Sequence, residues 1–144
     1  MDQIPADVLL AACPDGIRRT AETLRAVVRG AVPDAVERVR GGWNLIGYDM
    51  PLGRRSRYFA YVAPEPAHVH LGFEYGAWMA DPEHVLEGAH LRLRRVRYLT
   101  FGPFAALDET FLVALTLDAA RVAALSPAER FALLLDRDDG PPHG

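Results

Sequence analysis

The stretch AHVHLGFEYG, Ala67 to Gly76, sets His68, His70 and Glu74 in step with one another. Alternate side chains of an extended strand share a face, so these three point one way and Val69, Leu71, Phe73 and Tyr75 the other. Two imidazoles and a carboxylate make a facial ligand set for a first-row metal. One ion cannot join all three directly, because His70 and Glu74 lie roughly 13 Å apart at ~3.3 Å per strand residue. A metal site would need His68 and His70 plus a donor from a neighbouring strand or a partner chain. The plainer reading is the polar outer face of an ordinary strand, or a dimer contact.

Three further groups suggest binding. Trp43, Tyr48, Tyr58, Tyr61, Tyr75 and Trp78 fall in the strand-rich centre. Some belong to the core, but Phe59, Tyr61 and Phe73 compete with Tyr58 and Tyr75 on alternating faces. The aromatics left over either form an interface or, beside arginines, line a pocket for a planar or anionic ligand. In RLRRVR, strand alternation puts Arg92 and Arg94 on one face and Arg95 and Arg97 on the other, with a bulge near Arg94–Arg95. Guanidinium forks match phosphate and carboxylate; they also pair with acids such as Glu37, Glu74 or Glu87 in surface networks. DPEHVLEG offers Asp81, Glu83, His84 and Glu87, although Asp-Pro at a turn start is ordinary capping chemistry.

Composition removes several mechanisms. All 16 basic residues are arginine, so there is no Schiff-base lysine, no pyridoxal phosphate enzyme of the usual kind and no Walker-A lysine. Ser56 and Ser126 are the only serines and neither sits in G-x-S-x-G; no G-x-G-x-x-G occurs. What remains is chemistry by His, Asp, Glu, Tyr and Arg. No nucleophile, base and orienting group fall together, which argues against an enzyme. The net charge of −3 is uneven. Residues 18–97 hold 13 Arg and 9 acids, a balance of +4, between flanks of −3 and −4. The middle suits an anion, while a mildly acidic whole argues against nucleic acid. No apolar run approaches the roughly 20 residues of a membrane helix. MDQIPADVLLAACPDG lacks a basic stretch before its apolar part, so no signal peptide is expected. The single Cys13 fits a reducing cytoplasm.

Periodicity supplies the elements that must carry these residues. IPADVLLAA reads as a short helix. Ile17, Ala21, Leu24, Val28 and Ala31 form the apolar stripe of a longer one, ended by Gly30 and Pro33. AVERVR and GGWNLIGYDM are extended, and the run ending YFAYVAP joins HVHLGFEY as an antiparallel hairpin. LRLRRVRYLTF reads as a last strand. Asp108 caps a helix with Phe111, Leu112, Leu115, Ala119 and Val122 on its apolar face. SPAE is a capping box opening another helix, with Phe131 and Leu134 turned inward. The expectation is one two-layer α+β domain over residues 1–135, a curved antiparallel sheet with helices on one face, and a disordered tail at 136–144.

HVHLGF, DPEHVLEG and RLRRVRYL, with IRRTAETLRAVVRGAVPDAVERV upstream, resemble in order and spacing the YdhG-like family of bacterial domains of unknown function. The resemblance covers about residues 15–100 and implies a small α+β domain with a curved antiparallel sheet. One branch of the wider family is similar to a frataxin-like iron chaperone. Family members often show Gly-x-Gly-Lys where this chain has GAHL: His90 replaces the second glycine and Leu91 the lysine, although Arg92 and Arg94 match. Within that frame the expected ligand contacts are Trp43, Tyr48, His70, Trp78 and Arg94. They suit an anion with a flat apolar part. The sequence therefore predicts a non-enzymatic cytoplasmic domain without a cofactor, a homodimer that binds a small anionic or aromatic ligand and contacts neither nucleic acid nor membrane. The alternative is metal handling, with iron on His68 and His70.

Overall fold

The computed structural model describes residues 4–138. Helices α1 (Ala6–Ala11) and α2 (Asp15–Ala31) precede strands β1 (Val36–Arg40), β2 (Leu45–Leu52), β3 (Arg55–Pro64), β4 (Val69–Phe73) and β5 (Arg97–Phe101); α3 (Glu109–Ala124) and α4 (Pro127–Asp138) follow. The strands form one open antiparallel sheet in sequence order. Helices α2 and α3 pack together and against β3. Ile17, Ala21, Leu24 and Val28 are buried as the stripe requires, and Leu112, Leu115, Ala119 and Val122 do the same for α3. They meet Val39, Ile46, Tyr48, Phe59, Val62, Leu71, Phe73 and Leu99 from one face of the sheet. The expected class, a two-layer α+β domain with helices on one face of an antiparallel sheet, is the one observed.

The caps are also where the sequence puts them. Asp108 Oδ1 accepts the Phe111 amide at 3.1 Å. In the capping box Glu129 accepts the Ser126 amide at 2.8 Å and the Ser126 hydroxyl accepts the Glu129 amide at 3.2 Å. The β3–β4 hairpin pairs Ala63 with His70 and Tyr61 with Gly72.

Four features differ from the sequence reading. The register shifts between Tyr48 and Asp49: Tyr48 pairs with Ala60 while Asp49 pairs with Tyr58, leaving Phe59 as an extra residue in β3. This bulge puts Tyr58 and Tyr61 on the same outer face, where plain alternation would oppose them. Second, β5 begins only at Arg97. Glu87 and Tyr98 exchange backbone hydrogen bonds of 2.8 and 3.0 Å, and the chain between them loops out through a 3₁₀ turn at Ala89–Leu91. Gly88 and Arg92 take positive φ values of 119° and 58° there, so RLRRVR is neither an alternating strand nor bulged. Third, Phe131 and Leu134 are 62% and 36% exposed. Helix α4 leaves α3 at 120° and meets the 3₁₀ turn Gly76–Trp78 instead of the sheet. Fourth, α4 runs through Asp138, taking in 136–138 of the expected tail. The rest of that tail, 139–144, lies outside the described residues. Among the described residues no single helix is long and apolar enough to cross a membrane.

Candidate functional site: an aromatic-floored cleft on the outer sheet face

Interior strand positions usually carry a side chain, and a glycine there marks a close approach by something else. Two glycines interrupt the outer face. Tyr61 pairs in register with Gly47 on β2 and with Gly72 on β4. A β-carbon on Gly72 would stand 2.0 Å from the Tyr61 ring, and one on Gly47 would stand 2.8 Å from both the Tyr58 ring and Arg40 Nε. The bare backbone at 72 therefore lets the Tyr61 phenol fold down over β4. The bare backbone at 47 lets Arg40 run along the sheet, its guanidinium 4.4 Å from the Tyr58 ring centroid and 3.5 Å from Asp49.

The result is a cleft of about 520 Å³, lined only from strands and loops. Tyr58 and Tyr61 form the floor, Leu45, Ala63 and Val96 add apolar wall, and Arg40, Glu65, His70 and Glu74 bring polar groups. Trp43 stands at the rim in the β1–β2 turn, 79% exposed.

The cleft shapes the charge of its own residues. Burial raises the Tyr58 phenol, against the pull of Arg40, and burial followed by the charge of Glu74 pushes Tyr61 up to about 12. Both hydroxyls stay protonated at neutral pH. Glu74 is raised, chiefly by desolvation, even though Arg95 lies 3.2 Å away and Arg40 also favours its charge. His70 is lowered by desolvation and then by His68, so it is neutral near pH 7. Its Nδ1 lies 3.1 Å from the Thr100 hydroxyl, and its ring meets those of His68 and Tyr98 edge-on at 4.6 and 4.9 Å. The arrangement offers flat apolar surface, phenol and imidazole hydrogen-bonding groups, one guanidinium and the carboxylates of Glu65 and Glu74. That combination suits binding a planar ligand.

Of the five expected ligand contacts, the structure brings Trp43 and His70 together here. Tyr48 is not in the cleft. It is fully buried on the helix face, and its hydroxyl donates to Glu37 Oε2 at 2.9 Å. That carboxylate also accepts two hydrogen bonds of 2.8 Å from Arg25 on α2, so Tyr48 ties the sheet to the helix. Trp78 packs beside Tyr75 and Arg130, away from the cleft, and Arg94 is exposed in the bend before β5. His68 and His70 do stand together, but among the described residues no three of His, Cys, Asp and Glu gather as a metal-ligand group. Asp81 is committed to its own loop, accepting the Val85 and Leu86 amides at 2.9 and 3.1 Å. Arg40 was not among the expected contacts. The signal for it lies in the strand glycine Gly47, a place of close approach.

No family model, curated protein or solved structure matches the chain. The class defined here is thus one of fold and site: an open-sheet α+β domain with an aromatic-floored outer cleft.

Proposed function

We propose that the protein is a non-enzymatic cytoplasmic binding domain of the YdhG-like kind, whose ligand is a flat aromatic molecule bearing an acidic group. The observation that carries this reading is Tyr61 lying between Gly47 and Gly72. Glycines cost strand stability unless the vacated space is used, and here two of them clear a planar floor. The ligand's ring stacks on Tyr58 and Tyr61 under Trp43. Its acid replaces Asp49 as the partner of Arg40, the one arginine lining the cleft. A second reading, homodimerisation through the same face, is favoured by Trp43, whose exposed indole a second copy would cover equally well. Metal handling on His68 and His70 has less support, since the pair lacks a third donor among the described residues.

A thermal-shift panel of neutral, cationic and acidic aromatic compounds tests the ligand. A binder at 100 times its dissociation constant adds about 2.7 kcal/mol, several degrees for a domain of this size. Acidic aromatics should stabilise, and Trp43→Ala and Arg40→Met should each diminish the shift. Stabilisation by neutral or cationic compounds alone, or indifference to both substitutions, contradicts the reading. Sedimentation decides the dimer: a parent dimer at micromolar concentration should become a monomer with Trp43→Arg, and a monomeric parent excludes that interface.

A further inference from the structure

A second hollow, of about 230 Å³, lies where α4 meets the turn Gly76–Trp78 and shares no lining residue with the cleft. Tyr75 and Trp78 line it with Pro127, Phe131 and Leu134. Arg130 reaches into it with only 8% of its surface exposed. A buried cation normally has an acid beside it, because removing a charge from water is costly. Among the described residues no carboxylate pairs with Arg130. Glu129, its neighbour in sequence, is turned back to the Ser126 amide.

The guanidinium is only partly used. Nη1 donates to the Leu125 carbonyl, and the group lies over the rings of Tyr75 at 4.5 Å and Trp78 at 5.5 Å. Nε and Nη2 donate to no described residue. Yet no buried side-chain nitrogen or oxygen among the described residues lacks a partner, so these two nitrogens are not sealed in. Arg95 also lines the hollow, 5.8 Å from the Tyr75 ring, and its acid is Glu74 at 3.2 Å. Two guanidiniums against one carboxylate leave a surplus of one positive charge.

We propose that this hollow binds a small aliphatic carboxylate, its head on the free edge of Arg130 beside Arg95 and its chain along Phe131 and Leu134. One surplus charge matches a monoanion, and a guanidinium edge matches the planar, two-oxygen carboxylate. The apolar lining takes the alkyl chain. The proposal touches the cleft only through Glu74, the acid of Arg95, and does not depend on the ligand proposed there.

The test uses hexanoate and the full chain with Trp43→Phe, which leaves Trp78 as the only tryptophan. At constant ionic strength, hexanoate should change Trp78 emission saturably, and inorganic phosphate should not. Arg130→Met keeps the apolar stem and should weaken hexanoate about tenfold or more, the effect of one lost charge-assisted hydrogen bond. Arg95→Gln alters an exposed side chain and should weaken it several-fold, which keeps the test decisive if Arg130→Met does not fold. Trp78 emission indifferent to hexanoate, phosphate matching hexanoate, or unchanged affinity in either folded variant overturns the proposal.

Discussion

A β-carbon at position 72 would stand 2.0 Å from Cζ of Tyr61, so the ring and a side chain there exclude one another. Gly72→Ala should displace the ring, cost about 1–3 kcal/mol as overpacking does, and strip the cleft of its floor. Tyr61→Ala made in the same chain should recover part of that loss, because the clash partner is gone. Strictly additive costs in urea unfolding would mean that the ring does not lie over Gly72. Glu37 gives a residue-scale dependence on pH. Desolvation is the largest single influence and raises it, but hydrogen bonds from Arg25 and Tyr48 and the charges of Arg25 and Arg29 together hold it below the ordinary value of 4.5. A carboxyl lowered in the folded state stabilises above its unfolded value, and that contribution disappears as pH falls through the folded one. Stability should therefore decline below about pH 4.5, and Glu37→Gln should flatten the decline while costing about 1–3 kcal/mol at neutral pH. Glu74 has the opposite sign: raised by desolvation, it is better tolerated protonated, so acidification removes a cost. The outward direction of His70 and Glu74 was legible from alternation alone. The shared face of Tyr58 and Tyr61 was not, because it depends on the extra Phe59 in the register with β2.

Among the elements, those whose burial follows their own periodicity were readable and those placed by a partner were not. The stripe of α2 and the apolar face of α3 lie on the sheet as their spacing implies. Helix α4 has an equally plausible stripe and a well-formed capping box, but the 120° bend after α3 carries Phe131 away from the core. No local signal fixes that angle. It depends on the meeting of α4 with the turn Gly76–Trp78, where Arg137 donates to the carbonyls of Ala77, Trp78 and Met79. Two substitutions separate the kinds of helix. Leu112→Ala, at a residue 2% exposed on α3, should cost about 2–5 kcal/mol. Phe131→Ser on α4 should change stability by less than about 0.5 kcal/mol. Comparable losses in denaturant unfolding would place α4 in the core after all. The start of β5 is not legible for a related reason: Leu91, Leu93 and Val96 resemble a strand, but the Glu87–Tyr98 pairing closes them into a loop.

At the scale of the molecule, the order of periodic segments was enough for the class of fold, because helices before and after a run of strands leave few two-layer solutions. The candidate site was only partly legible. Trp43 and His70 meet in the cleft, but Tyr48 faces the helices and Trp78 lines the second hollow. Which face a residue takes and which loops converge are products of register and bulge, and composition carries neither. The central claim is that Tyr58 and Tyr61, with Arg40 and Trp43, bind a flat acidic molecule on the outer face. Its most direct test is the emission of Trp43 in the full chain carrying Trp78→Phe, titrated with 2-naphthoate at constant ionic strength. The expected result is a saturable change, weakened by Arg40→Met and abolished by Gly72→Ala in protein that remains folded. No saturable change, or one that persists in folded Gly72→Ala, would contradict the account.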